Sequence, residues 1–472
     1  MKLTQAGAQA IINKVASGEP PDYNHYYYSS GLEPLLTSLA REYLSDYLLS
    51  GGTAFKLLVG PTGSGKTHLC YALRDLAWQH NYAVAYLPVS ATGAAFADLA
   101  SVYQQISQLL MVPPYGYRRA ATTGPLAPEP LLHAPLAEER GLASVLQGWY
   151  ARSYLAACGK LLTSASSQAA DPIAIDPAAI DAERIDAELK AYLAQVTSSL
   201  ETDNNNLTRA LLTAFEALAA AQPKVFEAML TWLYGQGFNK VLHKKRHGIL
   251  EPVSARNALS LICGLSQWLR FIGYGGLVIL LDVQQAAPER ASKSQVAHLV
   301  NLLSVVNDTA NQRMSHVMWV YATHDTAFLE GGARVHKALQ QRLTSVFDSD
   351  LNPSGVHLDL NSLLPLSRDH LEDVGYKLAY LHEVAYRQAF EDEPALEACI
   401  NLVIDHTLTA AGNTTNITTS TTTSTTTEAA RAGSRRQFIQ LLSEALKVLR
   451  LEGRSMSQSD LANLAEGYRE RA

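Results

Sequence analysis

Two kinds of apolar pattern alternate along the chain. Short unbroken runs recur at Phe55-Lys56-Leu57-Leu58-Val59, Ala83-Val84-Ala85-Tyr86-Leu87, Gly276-Leu277-Val278-Ile279-Leu280-Leu281-Asp282, Val317-Met318-Trp319-Val320-Tyr321-Ala322 and Val356-His357-Leu358-Asp359-Leu360. Runs of this length fit strands buried on both faces of a parallel sheet. Around them apolar residues return at helical spacing. The pattern predicts a helix over 5–17, ended by Gly18 and Pro20-Pro21. It predicts another over 33–49, with Leu35, Leu36, Leu39, Tyr43, Leu44, Tyr47 and Leu48 on one face, and a third opened by Leu69, Ala72, Leu73 and Leu76. Strands alternating with helices predict a three-layer α/β fold.

The alternation is interrupted once. After the strand at 83–87, which Pro88 is expected to close, the next long apolar run arrives only at 276. Residues 112–136 are rich in Pro, Ala and Gly and read as a loop. Helical patterns follow at 143–161, 183–199, 206–221, 224–236 and 256–272, with a polar connector at 169–182. Beyond the sheet, helical patterns at 366–400 and 437–450 flank Thr414 to Thr427, almost entirely Thr and Ser, which has nothing to bury. The expected division is N-terminal helices at 1–50, a core at 51–110 and 273–362, a helical insertion at 111–272, and a C-terminal helical domain at 363–472 with a disordered loop at 411–428.

Composition narrows this picture modestly. The 472 residues are 47% apolar and 17% charged with a net charge of −6, which fits a soluble globular chain and argues against coating of nucleic acid by the whole surface. One local exception is Lys240 with His243-Lys244-Lys245-Arg246-His247, a patch that either contacts DNA phosphates or is a solvated helix end. Four dispersed cysteines form no metal-ligand spacing and fit a reducing compartment. With no signal-peptide core at Met1-Lys2-Leu3 and no membrane-length run, a cytoplasmic protein is expected.

The chemistry concentrates at Gly60-Pro61-Thr62-Gly63-Ser64-Gly65-Lys66-Thr67, a G-x-x-x-x-G-K-T loop between a strand and a helix. Its backbone N–H groups can cradle a phosphate chain at a helix N-terminus, with Lys66 reaching the β- and γ-phosphates and Thr67 holding Mg²⁺. The expected ligand is ATP. A metal-orienting carboxylate is expected at Asp282, where the next residue is Val283. Valine can neither take a proton nor hold a water, and Gln284, Gln285 and Glu289 are the near substitutes. Thr323, at the carboxyl end of its strand, stands where a γ-phosphate sensor would be expected or serves as a helix N-cap. Arg342 either reaches a neighbour's nucleotide or forms an ion pair within the chain. Arg435 and Arg436 open a helix, an unfavourable place for cations unless phosphates face them. Tyr23, Tyr26, Tyr27 and Tyr28 either stack on a base or cover an edge.

Read in order, these residues resemble the BREX-type phage-defence ATP-binding proteins (the BrxD-like P-loop family), related to the Orc/Cdc6-like branch of AAA+ ATPases. The likeness runs through Ile11-Ile12, Gly18-Glu19-Pro20, Gly63 to Leu69 including His68, Trp232-Leu233-Tyr234-Gly235 and Asn257-Ala258-Leu259. It continues through Gly273 to Asp282, Leu364-Pro365-Leu366-Ser367 and Arg436-Gln437-Phe438-Ile439. The resemblance implies an AAA+/ASCE-like P-loop NTPase core with a C-terminal helical lid, and Lys66 and Thr67 as Walker A residues. It also implies Asp282 as the Walker B Asp, Thr323 as sensor 1, Arg342 as an arginine finger and Arg436 as the lid arginine. The family's usual Asp-Glu at Walker B is here Asp282-Val283.

Two functions follow. One is a nucleotide-gated assembly factor, acting as a homo-oligomer or with other defence proteins, with double-stranded DNA as a candidate partner through Lys240, Lys244, Lys245 and Arg246. The other is an active DNA-stimulated ATPase that remodels a nucleoprotein complex. A small-molecule kinase explains neither the late Asp282 strand nor the C-terminal helices.

Overall fold

The computed structural model describes residues 3–89, 94–114, 140–168, 182–283, 293–412 and 433–471. Within them one sheet is built from β1 (Thr53–Val59), β2 (Ala83–Val89), β3 (Leu110–Met111), β4 (Leu277–Val283), β5 (Val317–Thr323) and β6 (His357–Asp359). The order is β3-β2-β4-β5-β1-β6, parallel throughout except for β3, which runs antiparallel to β2. The expected parallel α/β sheet is there. One strand, β5, separates the loop-bearing β1 from β4 with its Asp282.

Along β1, Ala54 and Leu58 join one apolar cluster while Phe55 and Leu57 join another. That is the period-two alternation of a strand covered on both faces. One face is covered by α2 (Glu33–Leu39) and α3 (Lys66–Gln79). The other is covered by α4 (Leu99–Leu109) and by helices of the long interruption: α5 (Gly141–Gln168), α6 (Ala182–Ser199), α7 (Asn205–Ala219), α8 (Pro223–Leu233) and α9 (Ala258–Phe271). Two later helices, α10 (Lys293–Ala310) and α11 (Arg334–Leu343), complete that layer. Trp149, Phe215, Trp232 and Trp268 from the interruption share a continuous core with Ile279 and Trp319 of the sheet.

β2 does not stop before Pro88; it runs on to Val89. Because β3 reaches only Val84 and Ala85, that flank of β2 is open at Pro88, where a missing N–H costs no ladder bond. The expected helix over 33–49 also breaks. After Leu39 it widens into a π-helical turn at Ala40–Leu44, and the Ser45 N–H reaches the Ala40 carbonyl at 2.9 Å. The wider turn brings the Tyr43 hydroxyl within 2.8 Å of Lys56 Nζ on β1. Lys56 is only 1% exposed, and burial holds its pKa down to about 7.

The last helices are α12 (Arg368–Tyr386), α13 (Glu393–Ala410), α14 (Ser434–Glu452) and α15 (Gln458–Arg471). They form a separate cluster with α1 (Gln5–Ala16), in which Ile11, Ile12 and Val15 meet Leu378, Leu381, Phe438 and Leu442. The first helix therefore belongs with the last ones. The segment between α1 and α2 is clamped onto α3: His25 Nδ1 lies 3.0 Å from Asp75 Oδ2, and Arg74 binds the other oxygen of Asp75 at 2.7 Å. The expected loop at 112–136, the connector at 169–182 and the Thr/Ser tract fall largely or wholly outside the described residues, as do Gln284, Gln285 and Glu289. Among the described residues no helix is long and apolar enough to cross a membrane.

Candidate nucleotide site

Residues 60–65 turn from the end of β1 into α3. Gly63 and Gly65 hold φ of 74° and 105°, which side chains disfavour. No side chain caps α3, so its first N–H groups are open to an anion. Lys66 curls back over the loop, with Nζ donating to the Gly60 carbonyl at 2.6 Å and to that of Pro61 at 3.0 Å. Burial pulls the Lys66 pKa down, while the charge of Asp282 opposes that fall. The Ser64 hydroxyl is buried and without a partner among the described residues. Thr62 is exposed at the loop's tip.

Thr67 and Asp282, the two expected metal-holding residues, meet directly: Thr67 Oγ1 donates to Asp282 Oδ2 at 2.7 Å. The same oxygen accepts from the Tyr86 hydroxyl at 2.9 Å. Tyr86 was not among the expected site residues; a single tyrosine in the otherwise aliphatic β2 run was the available signal. Val283 ends β4, half-buried against the sheet core.

Thr323 ends β5 opposite Val59, and its carbonyl accepts from the Gly60 N–H at 3.2 Å. Just beyond it, His324 Nδ1 and Asp325 Oδ2 stand 3.2 Å apart. Asp325 is half-exposed, and its Oδ1 accepts from the Ala327 N–H at 2.9 Å.

The ring of His68, expected among the nucleotide contacts, is committed elsewhere. Its Nε2 lies 2.8 Å from Ser29 Oγ and its ring 5.0 Å from that of Tyr28. Burial, with the neighbouring His25, holds its pKa down to about 3. What His68 retains toward a phosphate is its backbone N–H. Of the tyrosines upstream, Tyr23 stacks parallel to Trp78, and Tyr28 is buried with its hydroxyl on the Pro21 carbonyl at 2.9 Å. These two cover α3.

A second helix end arrives from the C-terminal cluster. α14 starts at Ser434 without a side-chain cap, and Gly433 lies so near Gly63 that a Cβ on Gly63 would stand 2.7 Å from the Gly433 Cα. Arg435 Nη1 donates to the Ser64 carbonyl at 2.8 Å, and burial lowers its pKa. Arg436 is exposed, yet its charge acts on both Lys66 and Glu19. Two uncapped helix N-termini, Lys66 and two arginines thus converge around one loop, an arrangement that polyanion binding would relieve. Beside them lies a cavity of about 140 Å³ lined by Gly63, Ser64, Asn361, Pro365, Leu366, Ser434 and Arg435. The orphaned Ser64 hydroxyl, the folded-back Lys66 and the Thr67–Asp282 pair fit a nucleoside triphosphate with Mg²⁺.

Arg342 is not drawn into this loop. It is exposed on α11, and its Nε donates to Asn307 of α10. The basic patch forms a π-helical turn at Lys240–Arg246. Lys240, Lys244, Lys245 and Arg246 are exposed, while His243 turns inward: Nδ1 accepts from the Asn239 N–H and Nε2 faces the Ala228 carbonyl.

A sequence model of the family described as BREX system ATP-binding protein BrxC/D matches residues 3–114 and 156–424, so α14 with its two arginines lies beyond the matched stretch. No curated protein and no solved structure matches the chain.

Proposed function

We propose, because the chain belongs to the BREX system ATP-binding BrxC/D family, that ATP bound at the Gly60–Thr67 loop gates an assembly of defence proteins with little or no turnover. The observation that carries this reading is the meeting of the two helix ends, with Arg435 on the Ser64 carbonyl at 2.8 Å. A triphosphate bound between them would draw α14 and the loop together. It would favour that closed state by its differential affinity alone. A nucleotide that binds only the closed form, at one hundred times its Kd, contributes about 2.7 kcal/mol. We assign the sheet and its helices as an AAA+-type core, α5–α9 as an insertion and α12–α15 as a lid.

In this account Lys66 and the first N–H groups of α3 hold the β- and γ-phosphates. Thr67 and Asp282 would hold Mg²⁺, which supplies charge neutralisation on the phosphate oxygens when bound. Arg435 and Arg436 close over the nucleotide, and Thr323 stands as the γ-phosphate sensor. Arg342, exposed, reads the nucleotide of an adjoining copy. Lys240, Lys244, Lys245 and Arg246 would meet DNA phosphates. Val283 offers no proton acceptor beside Asp282, which is why turnover is expected to be absent or slow.

A second reading is an active DNA-stimulated ATPase, in which a residue other than Val283 positions the attacking water. Phosphate release by the native protein and by Val283→Glu separates the two.

A further inference from the structure

We infer that Tyr86 is a positioning residue for the metal half of the nucleotide site: its hydroxyl fixes the Asp282 carboxylate so that Thr67 and Asp282 can hold a divalent cation together. This inference rests on the ATP-site reading above and deepens it.

The placement follows from strand register. β2 and β4 run parallel with Pro88 opposite Asp282. Side chains two apart on a strand share a face, so Tyr86 emerges on the face where Asp282 turns toward Thr67. Both hydroxyls land on one carboxylate oxygen, Oδ2, at 2.7 Å from Thr67 and 2.9 Å from Tyr86. Asp282 is 1% exposed, so water does little to orient it. The Tyr86 ring is steadied by Tyr71, edge-on at 5.1 Å between centroids.

The two donors are not equivalent. The Thr67 hydroxyl has one proton; while it donates that proton to Asp282, its lone pairs stay open to a cation. Thr67 is therefore itself a ligand and moves with what it binds. Tyr86 has no such duty. It is the fixed point that keeps Oδ2 occupied and the carboxylate plane set before a cation arrives. Outer partners of this kind orient metal-binding groups, and their loss typically weakens metal affinity about 10- to 100-fold.

The test is a Mg²⁺ titration of ATP binding to the full chain, followed by a fluorescent nucleotide analogue or by calorimetry, in the native protein and in Tyr86→Phe. Nucleotide binding in EDTA is measured alongside. Tyr86→Phe removes one oxygen and keeps the ring against Tyr71. The expected result is a Mg²⁺ midpoint raised by about 10-fold or more, with affinity in EDTA unchanged within about twofold. A Mg²⁺ midpoint that does not move in Tyr86→Phe overturns the inference, as does an equal loss with and without Mg²⁺, which a merely structural tyrosine would give. A native protein that binds no nucleotide under either condition overturns the ATP-site reading itself, and shows this before any variant is compared.

Discussion

Gly63 is the point where the phosphate loop touches the C-terminal helices, and Gly63→Ala tests whether that contact matters. At φ 74° a Cβ is strained, which costs roughly 1–2 kcal/mol. The added Cβ would also stand 2.7 Å from the Gly433 Cα, a backbone atom that no rotamer change can move aside. α14 must retreat, and the Arg435–Ser64 hydrogen bond at 2.8 Å stretches or breaks. A hydrogen bond to a charged group contributes about 1.5–3 kcal/mol, so the total loss in nucleotide-free protein should be roughly 2.5–5 kcal/mol. Gly65→Ala is the control. Its φ of 105° is as unfavourable, but a Cβ there meets nothing within 4 Å, so only the strain of roughly 1–2 kcal/mol remains. Urea denaturation of both variants, with hydrogen exchange followed over 433–452, reads the difference. Equal losses in the two variants, or unchanged exchange over 433–452 in Gly63→Ala, would refute the claim that the loop and α14 are packed as one unit.

Three further outcomes are expected. His68 takes its proton near pH 3 when folded and near 6.5 when unfolded, so the unfolded chain binds more protons between these values. Stability should therefore fall as pH drops from 6.5 toward 3, by up to about 1.4 kcal/mol per pH unit. Urea midpoints from pH 7.5 to 4 should show a shallower fall in His68→Gln, with a residue left by His382, whose pKa burial holds down to about 4. Replacing Lys244, Lys245 and Arg246 by Gln should reduce the slope of log affinity for duplex DNA against log salt by about 2–3, measured by anisotropy; an unchanged slope removes the patch from any DNA contact. Arg342→Ala should weaken ATP-dependent self-association in sedimentation while leaving the monomer's ATP affinity alone, and the reverse pattern would place Arg342 within its own chain's site.

The sheet was largely legible because β1, β2, β4 and β5 are apolar runs, while the two-residue β3, directly after α4, left no such signal; the Gly60–Thr67 loop announced itself through spacing and flanks. The pairing of Thr67 with Asp282 was also foreseeable, since the chemistry names both residues even across the long interruption. What stayed hidden depends on register and on distant packing. Tyr86 reaches Asp282 only because β2 and β4 align Pro88 with Asp282, and nothing local to Tyr86 records that. Arg435 and Arg436 were both visible at a helix start, yet which one bonds the loop is decided by how α14 lies against Gly63. The docking of α1 on the C-terminal helices joins opposite chain ends, which periodicity cannot reveal. Leu99, Val102, Tyr103 and Ile106 of α4 carry a helical period, but it falls where the alternation of strand and helix is interrupted. The π-helical widening at Ala40–Leu44 brings Tyr43 to Lys56, and nothing in the helical period of 33–49 records a lysine on a distant strand.

The ATP site is proposed to bind and gate without turning over. The direct measurement is ATP affinity and steady-state phosphate release on the same native preparation, with Mg²⁺, with and without duplex DNA, beside Val283→Glu and Lys66→Ala. The expected result is saturable ATP binding with phosphate release at the level of Lys66→Ala, and turnover gained in Val283→Glu. Native turnover well above Lys66→Ala would contradict this reading and mean that a residue other than Val283 positions the water.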